Sequence, residues 1–407
     1  MTIDFPPLRQ LKMLRAVAHF GGLSAAARAS NLTQPAISQA LAKIEAEFGI
    51  TVFERSPRGV SLTDAGQVLV MRVDRALDEL SKGITECIAT LGTRRPDAMR
   101  LITTAQLIAL VAVVEEGTFG AAARTAGRAR ATIHRAAREL ERVLGVKLYE
   151  STSHGLRATR EAERLVHRVR LASTELLQAR AELAALKGRD DGITTIGAMP
   201  LARSLLVPSA VLEFIKRRPG HSISILDGPY ETMLESLRDG RADVLVGALR
   251  SRVPPDVRQE LLFEDPLVIV MRAGHPLARD KHRLSWSSLA RFDWIAPRPG
   301  SPLRAHYDRV IARLARPRGA AIECNSLIAA RAVLVASDRV MLSSEQQVHY
   351  ELATGQLAVS PHPGGDIRRK IGLTTRRDWL PTEAQDELLA AIRSTAIRGR
   401  GTTMRMT

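Results

Sequence analysis

Residues 20–49 read "FGGLSAAARASNLTQPAISQALAKIEAEFG", and residues 117–145 repeat the pattern as "GTFGAAARTAGRARATIHRAARELERVLG". The segment Ala25–Arg28 returns as Ala121–Arg124, so a constant spacing of 96 residues relates the two stretches. Self-similarity at a fixed spacing within one chain indicates a duplicated structural unit. The chain is therefore expected to contain the same small fold twice.

The first stretch predicts two packed helices joined by a tight turn. Gly21 and Gly22 end an apolar helix, and the alanines after them allow close helix packing. Thr33 is placed to cap the next helix, whose first turn tolerates Pro35. The buried stripe of that helix is predicted to contain Ile37, Leu41, Ile44 and Phe48. Its opposite face carries Gln34, Ser38, Gln39, Ala42 and Lys43. This is typical of a helix-turn-helix that enters the DNA major groove, although a small helical bundle with a solvated polar face has the same pattern.

The segment "ITVFERSPRGVSLTDAG" at 50–66 predicts two short strands around a turn that holds Arg55 and Arg58. Such a wing can reach phosphates or the minor groove. The formal net charge of +16 and the pI near 10.8 favour a polyanionic partner, because lysine and arginine release condensed counterions when they neutralise phosphates. Charge alone does not locate a site, since a generally basic surface gives the same totals.

Residues 8–66 together resemble the DNA-binding module of LysR-type transcriptional regulators, including the "LTQPAIS" start of the second helix and the "FER" and "LTDAG" parts of the wing. The resemblance implies a winged helix-turn-helix in residues 1–66. It also implies DNA contacts from the second helix and the wing, through Thr33, Gln34, Pro35, Ser38, Gln39, Lys43, Arg55 and Arg58.

A long helix is predicted after the wing, in residues 67–92. Apolar residues alternate by four and three along it, which is the seam of a helix that pairs with another helix. The seam contains Val73, Leu77, Leu80, Ile84, Cys87 and Leu91. Cys87 is interpreted as a small buried apolar residue rather than a redox sensor. Residues 93–103, with Pro96, are predicted to be a linker.

The second module is predicted in residues 104–162, followed by a second linker helix in 163–188. The seam of that helix contains Leu165, Val169, Ala172, Leu176, Ala179, Leu183 and Leu186. The presumed DNA face has changed and carries Arg128, Arg130, His134, Arg135 and Arg138. Ala129 replaces the capping threonine, at a cost of about 1 kcal/mol unless another residue substitutes. Two interpretations stay open: a DNA-contacting module with altered preference, or a protein–protein or dimerisation element with a solvated basic face.

From residue 192 onward, short apolar strands alternate with helices, which predicts parallel sheets with helices on their faces. The pattern resembles the two-lobed, periplasmic-binding-protein-like effector domain of the same family, in residues 192–395. The overall fold class is thus α/β plus two all-α N-terminal modules. Loops at the carboxyl ends of the strands supply candidate effector contacts, although each residue could equally be an ordinary helix cap or surface residue. The candidates are Arg203, Ser204, Tyr230, Thr232, Ser301, Asn325 and Ser326. Residues 396–407 are predicted to form a disordered basic tail.

Other classes of protein lack support in the sequence. There is no GxSxG, P-loop, HExxH or GxGxxG motif, the ten histidines are scattered, and two distant cysteines predict neither a disulfide framework nor a zinc site. Neither an enzyme nor a cofactor is expected, while a ligand-independent DNA-architectural protein stays an alternative. No signal peptide or membrane span is predicted, so the cytoplasm is the expected location.

The expected partners are double-stranded DNA, a carboxylate or sugar-related effector, and further copies of the chain in a dimer or tetramer. Modules of this family pair through linker helices from two chains. Two modules and two seams in one chain therefore allow an internal pseudo-dimer, in which one polypeptide supplies both half-site contacts. A dimer of such chains would hold four modules.

Overall fold

The computed structural model describes residues 5–56, 59–89, 97–153, 155–279, 284–314, 322–365 and 367–403. The chain divides into two compact units, Met1–Gly192 and Ile193–Thr407. The first unit is built from helices and two short hairpins, and the second unit contains a mixed sheet with helices.

The first unit contains one order of elements twice: three helices, a two-stranded antiparallel hairpin and a long helix. The first copy consists of α1 (Leu8–Phe20), α2 (Leu23–Ser30), α3 (Gln34–Phe48), β1 (Phe53–Ser56), β2 (Gly59–Leu62) and α4 (Asp64–Ala89). A short helix, α5 (Ala98–Leu101), precedes the second copy. That copy consists of α6 (Thr104–Glu116), α7 (Phe119–Thr125), α8 (Arg130–Leu144), β3 (Tyr149–Thr152), β4 (Gly155–Ala158) and α9 (Arg160–Ala185).

The ends of α3 and α8 follow from a few local residues. Thr33 Oγ1 accepts a hydrogen bond from the Ala36 amide at 3.4 Å, as its capping position predicts. Ala129 at the start of α8 offers no side-chain cap. Both helices end at a glycine in the left-handed region, Gly49 with φ 64° and Gly145 with φ 70°. The second copy therefore keeps the stop signal but has lost the start signal.

Helices α4 and α9 pack against each other in antiparallel orientation. Arg72, near the start of α4, contacts Glu182 near the end of α9, while Glu86 near the end of α4 contacts Arg168. The predicted seam residues of α4 from Val73 to Cys87 and those of α9 from Leu165 to Leu183 are buried. Leu91 lies outside the described residues. Leu186 is 57% exposed because α9 ends at Ala185, so its assignment to the buried seam was wrong.

The ion pairs across the two long helices are reciprocal. Arg72 donates to Glu175 at 2.8 Å and to Glu182 at 2.6 Å. Arg168 donates to Glu79 at 2.7 Å and to Glu86 at 2.6 Å. Each residue of the second set follows its counterpart in the first by 96 positions: Arg72 and Arg168, Glu79 and Glu175, Glu86 and Glu182. The two helices therefore contact each other through equivalent positions of the two copies.

The second unit begins with a parallel α/β segment. Its elements are β5 (Ile193–Ala198), α10 (Pro200–Ser204), α11 (Leu206–Arg217), β6 (Ser222–Leu226), α12 (Tyr230–Arg238), β7 (Val244–Ala248) and the long strand β8 (Val257–Arg272). Further along the chain are α13 (Pro276–Arg279), α14 (Trp286–Leu289), β9 (Trp294–Ala296), α15 (Pro302–Ile311), β10 (Ile322–Glu323), α16 (Leu327–Val335) and β11 (Val340–Ser344). The last elements are a 3-10 turn (Gln346–Val348), α17 (His349–Ala353), β12 (Leu357–Pro361), β13 (Arg368–Arg376) and α18 (Glu383–Thr403).

Two parallel groups of strands share one sheet of order β10-β9-β11-β8-β13-β7-β5-β6, with β12 also paired to β8. Strand β5 is parallel to β6 and β7, and β9 is parallel to β10 and β11. Strands β8 and β13 run antiparallel and connect the groups, since the first part of β8 pairs with β13 and its last part pairs with β11 and β12. Each group has its own apolar core, around Phe214 in one and Trp294 in the other.

The predicted disordered tail from residue 396 is wrong for residues 396–403. Helix α18 continues to Thr403, and Ala396 is buried because it packs with Ile392 in the core of the second unit. Residues 404–407 lie outside the described residues. Within the described part of the chain, no single helix is long and apolar enough to cross a membrane, and the one helix pair that passes by length and composition, α6 with α7, is bent by 117°.

Candidate functional site

The first candidate surface is the exposed face of α3. Thr33, Gln34, Pro35, Ser38, Gln39 and Lys43 are all exposed, so the whole predicted set is available on one helix. Gln34 Oε1 accepts a hydrogen bond from Ser24 Oγ at 3.2 Å, which connects α2 to the first turn of α3. Arg58 lies outside the described residues, and for Arg55 only the backbone is described, in β1. The buried side of α3, with Ile37 and Ile44 inaccessible, holds this face in place.

The second candidate surface is the exposed face of α8 and the turn before it. Arg128, Arg130, His134, Arg135 and Arg138 are all exposed. Arg138 donates to Glu141 at 2.7 Å, and its guanidinium lies 5.8 Å from the centroid of the Phe119 ring. The His134 ring packs edge-on against the same phenylalanine, with the centroids 4.7 Å apart. Arg138 and His134 therefore have intramolecular partners, although both stay accessible.

A third candidate site lies at the carboxyl ends of β6, β7 and β9 in the second unit. Arg250, two residues after β7, places its guanidinium 4.1 Å from the centroid of the Tyr230 ring, and its Nη1 donates to the Gly300 carbonyl at 3.4 Å. Three buried polar atoms around this bridge have no hydrogen-bond partner in the described residues: Tyr230 Oη, Arg250 Nε and Ser301 Oγ. Burial raises the pKa of the Tyr230 hydroxyl, so the phenol remains a proton donor at neutral pH.

Sequence reasoning missed Arg250. The signal was a charged residue directly after the apolar strand in "ADVLVGALR", at the strand end where ligands bind in parallel sheets. Because Arg250 contacts the Tyr230 ring and the Gly300 carbonyl, it connects the start of α12 with the loop that contains Ser301. A residue that was not predicted thus connects the segments of two that were.

The other predicted effector contacts have structural partners or lie apart from this bridge. Arg203 forms an ion pair with Asp227, and Ser204 Oγ donates to the Pro200 carbonyl at 3.4 Å within its own helix. Ser326 caps α16 by accepting a hydrogen bond from the Ala329 amide at 3.4 Å, and Asn325 Oδ1 accepts one from the Arg298 amide at 2.9 Å. Thr232 is exposed. Within the described residues, no group of three or more His, Cys, Asp or Glu side chains could hold a metal ion.

Two exposed helix faces of this kind, followed by an α/β unit with a polar site at its strand ends, are the arrangement expected of a DNA-binding regulator with a ligand-binding domain. Comparison with known families agrees with this class. The family described as "Bacterial regulatory helix-turn-helix protein, lysR family" matches twice, at residues 8–67 and 104–163, and "LysR substrate binding domain" matches residues 187–396.

Individual relatives agree with these families, and two solved structures have a similar fold. The regulator GalR of Pseudomonas putida is 32% identical over 396 residues, covering 97% of this chain and 98% of GalR. PcaQ of Agrobacterium fabrum is 31% identical over 261 residues, covering 64% of this chain and 84% of PcaQ. The fold is similar to that of full-length OxyR from Pseudomonas aeruginosa, with a TM-score of 0.54 and 22% identity, covering 72% of this chain and 94% of OxyR. It is also similar to LysG from Corynebacterium glutamicum, solved with its effector arginine, with a TM-score of 0.51 and 20% identity, covering 72% and 97%.

The chain belongs to the LysR family of bacterial transcription regulators. It is a DNA-binding regulator with an effector-binding domain, and the relatives that match it are named as regulators rather than as enzymes.

Proposed function

We propose that one chain forms an internal pseudo-dimer: the two N-terminal modules are winged helix-turn-helix domains that together contact two half-sites of DNA, and the second unit controls them through a bound effector. The reciprocal contact of α4 with α9 carries this proposal. In an interface with two-fold symmetry, residue i of one partner contacts residue j of the other and j contacts i. Arg72 with Glu175 and Glu182, and Arg168 with Glu79 and Glu86, obey this rule within a single polypeptide.

The second module, in this proposal, contacts DNA with a different and looser sequence preference. The arginines on its exposed face suit phosphates, whereas Gln34 and Ser38 of the first module suit base edges. A specific observation favours the alternative that this module is a protein–protein element: Arg138 is already paired with Glu141. That pair is exposed on the arginine side, and exposed pairs contribute little, so phosphate can replace it.

The effector, in this proposal, carries a carboxylate or another anionic group. Arg250 Nε, Tyr230 Oη and Ser301 Oγ could all donate to such a group, and all three lack partners in the described residues. Binding there would close the two lobes of the second unit. Only a difference in effector affinity between two states of the regulator would then change its DNA binding.

Further copies of the chain are proposed to associate through the second unit. Helices α11 and α16 expose large apolar side chains, among them Leu212 at 59% and Ile328 at 73%. Two chains would then present four modules. The proposed location is the cytoplasm, where bacterial DNA is accessible.

DNase footprinting on DNA upstream of the chain's own gene tests the DNA-contact roles. Ser38→Ala is expected to weaken binding at the preferred sequence by roughly 1–3 kcal/mol, because one base contact is lost. Arg130→Ala with Arg138→Ala is expected to weaken binding to all sequences and to flatten its salt dependence. Arg279→Ala with Arg309→Ala, two exposed arginines of the second unit, is the control for lost charge. An unchanged footprint and salt dependence for the Arg130 and Arg138 double variant would leave the second module as a protein–protein element.

A further inference from the structure

A basic groove lies between the two modules of the first unit. Its volume is about 1100 Å³, and its described lining contains five cationic side chains and no aspartate or glutamate. The cations are Arg9, Lys12, Arg15, Arg100 and Arg128. Buried apolar side chains, including Phe5, Leu8 and Ile102, form part of its wall. A groove of one charge sign attracts a polyanion.

The groove lies beside the starts of α3 and α8, the two helices proposed to contact DNA. Its lining includes Leu32 and Arg128, which directly precede Thr33 at the start of α3 and Ala129 at the start of α8. The N-terminal residues of such a helix are those that approach the bases when a helix-turn-helix docks. DNA held by both helices therefore passes the groove with the segment that separates the two half-sites.

The charges of the groove are not shared equally by the two modules. Helix α1 supplies Arg9, Lys12 and Arg15, whereas the positions 96 residues later in α6 are Ala105, Ile108 and Val111. Conversely, Arg128 of the second module takes the place of Leu32. Two identical chains would build a symmetric groove, so this distribution requires the tandem arrangement.

Several of these cations are available to a ligand. Arg9 and Arg128 are exposed and form no ion pair within the described residues. Arg15 contacts Asp78 at 3.3 Å and Arg100 contacts Asp97 at 3.5 Å, both as exposed pairs that a phosphate can displace. Lys12 differs, because the residue is half-buried and its Nζ donates to the carbonyls of Met99 and Ile102.

From this geometry we infer that the groove binds the sugar-phosphate backbone of the DNA between the two half-sites, with Arg9 and Arg128 as the principal phosphate contacts. The inference rests on the proposed function, since it requires both modules on one DNA. Because the cations are distributed unequally, the two modules supply different phosphate contacts to this groove, as the two halves of a symmetric dimer cannot.

The test measures the affinity of the full chain for the footprinted duplex between 50 and 200 mM salt. Each lost phosphate contact lowers the slope of log affinity against log salt by about 0.9, so Arg9→Gln with Arg128→Gln should lower it by about 1.8. Discrimination between this duplex and an unrelated one should not change, because no base contact is lost. The control, Arg279→Gln with Arg309→Gln, removes the same charge in the second unit and should leave the slope unchanged.

A second arm places uncharged methylphosphonate linkages only in the segment between the half-sites. The wild-type chain should bind this duplex more weakly than the unmodified duplex. The Arg9→Gln, Arg128→Gln double variant should bind the two duplexes with nearly equal affinity. Two results would overturn the groove contact while leaving the two-module footprint intact. One is a salt slope of the Arg9 and Arg128 double variant equal to that of the control, and the other is an equal loss of affinity for the methylphosphonate duplex by the wild type and the double variant. A wild-type chain that gives no footprint would overturn the proposed function and the groove contact together.

Discussion

Replacement of Arg72 by methionine tests the packing of α4 against α9. The Arg72 side chain is 1% exposed and donates to Glu175 and Gln178 at 2.8 Å and to Glu182 at 2.6 Å. Methionine keeps the apolar stem but removes the cation from two carboxylates. Loss of one partner from a buried ion pair costs roughly 3–5 kcal/mol. We expect the substitution to destabilise the packing of α4 on α9 by about 3 kcal/mol, at the low end of this range. The reason is that Arg75 also contacts Glu175, at 2.8 Å, and that Glu182 is 18% exposed.

Arg168→Met is the matched control, because it removes the equivalent arginine of the other module. Arg168 is 24% exposed, its partner Glu86 is 41% exposed, and Lys82 also contacts Glu79 at 2.8 Å. Solvent and the lysine compensate for the lost charge, so we expect a cost of about 1 kcal/mol. Equivalent positions should therefore respond unequally.

Hydrogen exchange of the full chain, read by mass spectrometry on peptides from α4 and α9, measures this difference. A cost of about 3 kcal/mol corresponds to opening that is on the order of 100-fold more frequent. All three tryptophans, Trp286, Trp294 and Trp379, lie in the second unit, so denaturation followed by their fluorescence should be unchanged by either variant. Equal acceleration by the two variants, or none by Arg72→Met, would refute the reasoning from burial.

Ala129→Thr should restore the missing cap of α8 and stabilise that helix by about 1 kcal/mol, measured as slower exchange in its first turn; no change would mean that the threonine side chain does not reach the helix amides. Burial raises the pKa of the Cys87 thiol to about 12. At pH 8 a thiol reagent should therefore modify Cys324 and leave Cys87 unmodified in the folded chain. Rapid modification of both cysteines would contradict the buried seam. Arg250→Gln should abolish the effect of the effector on DNA binding while DNA affinity without effector stays at the wild-type level; a retained response would place the effector elsewhere.

The helices of the two modules could be predicted because their signals are local. Thr33, Gly49 and the apolar stripe of α3 act within one or two turns, and the glycine stop and the apolar stripe recur at constant spacing in α8. From sequence alone, the pairing of α4 with α9 is only a hypothesis, since contacts between partners more than 100 residues apart are decided by packing. A signal was nevertheless present: an arginine followed by glutamates 7 and 14 positions later occurs at Arg72 and again at Arg168.

The effector contacts were predicted less well, because they depend on how separate loops meet. Ser326 and Ser204 have local hydrogen-bond partners, as serines near helix ends often do, and Arg203 is paired with Asp227. Arg250 became a candidate only when the structure placed it against Tyr230 and the Gly300 carbonyl. Its place after the apolar run of β7 marks it as a strand-end residue, but no pattern within a single loop shows which other loops it contacts. The length of α18 was likewise missed, because a basic, polar end of a chain resembles a disordered tail.

One cross-linking measurement tests most directly whether α4 and α9 of the same chain pair. The chain for this test carries Glu79→Cys and Arg168→Cys together with Cys87→Ser and Cys324→Ser. The two new thiols stand where the native Glu79 and Arg168 side chains form an ion pair of 2.7 Å. After treatment with a short bismaleimide, a denaturing gel should show the linked product at the mass of a single chain, 44.5 kDa, with faster migration than the unlinked form. Linked products at twice that mass, joining tagged to untagged chains in a mixture, would contradict the internal pseudo-dimer.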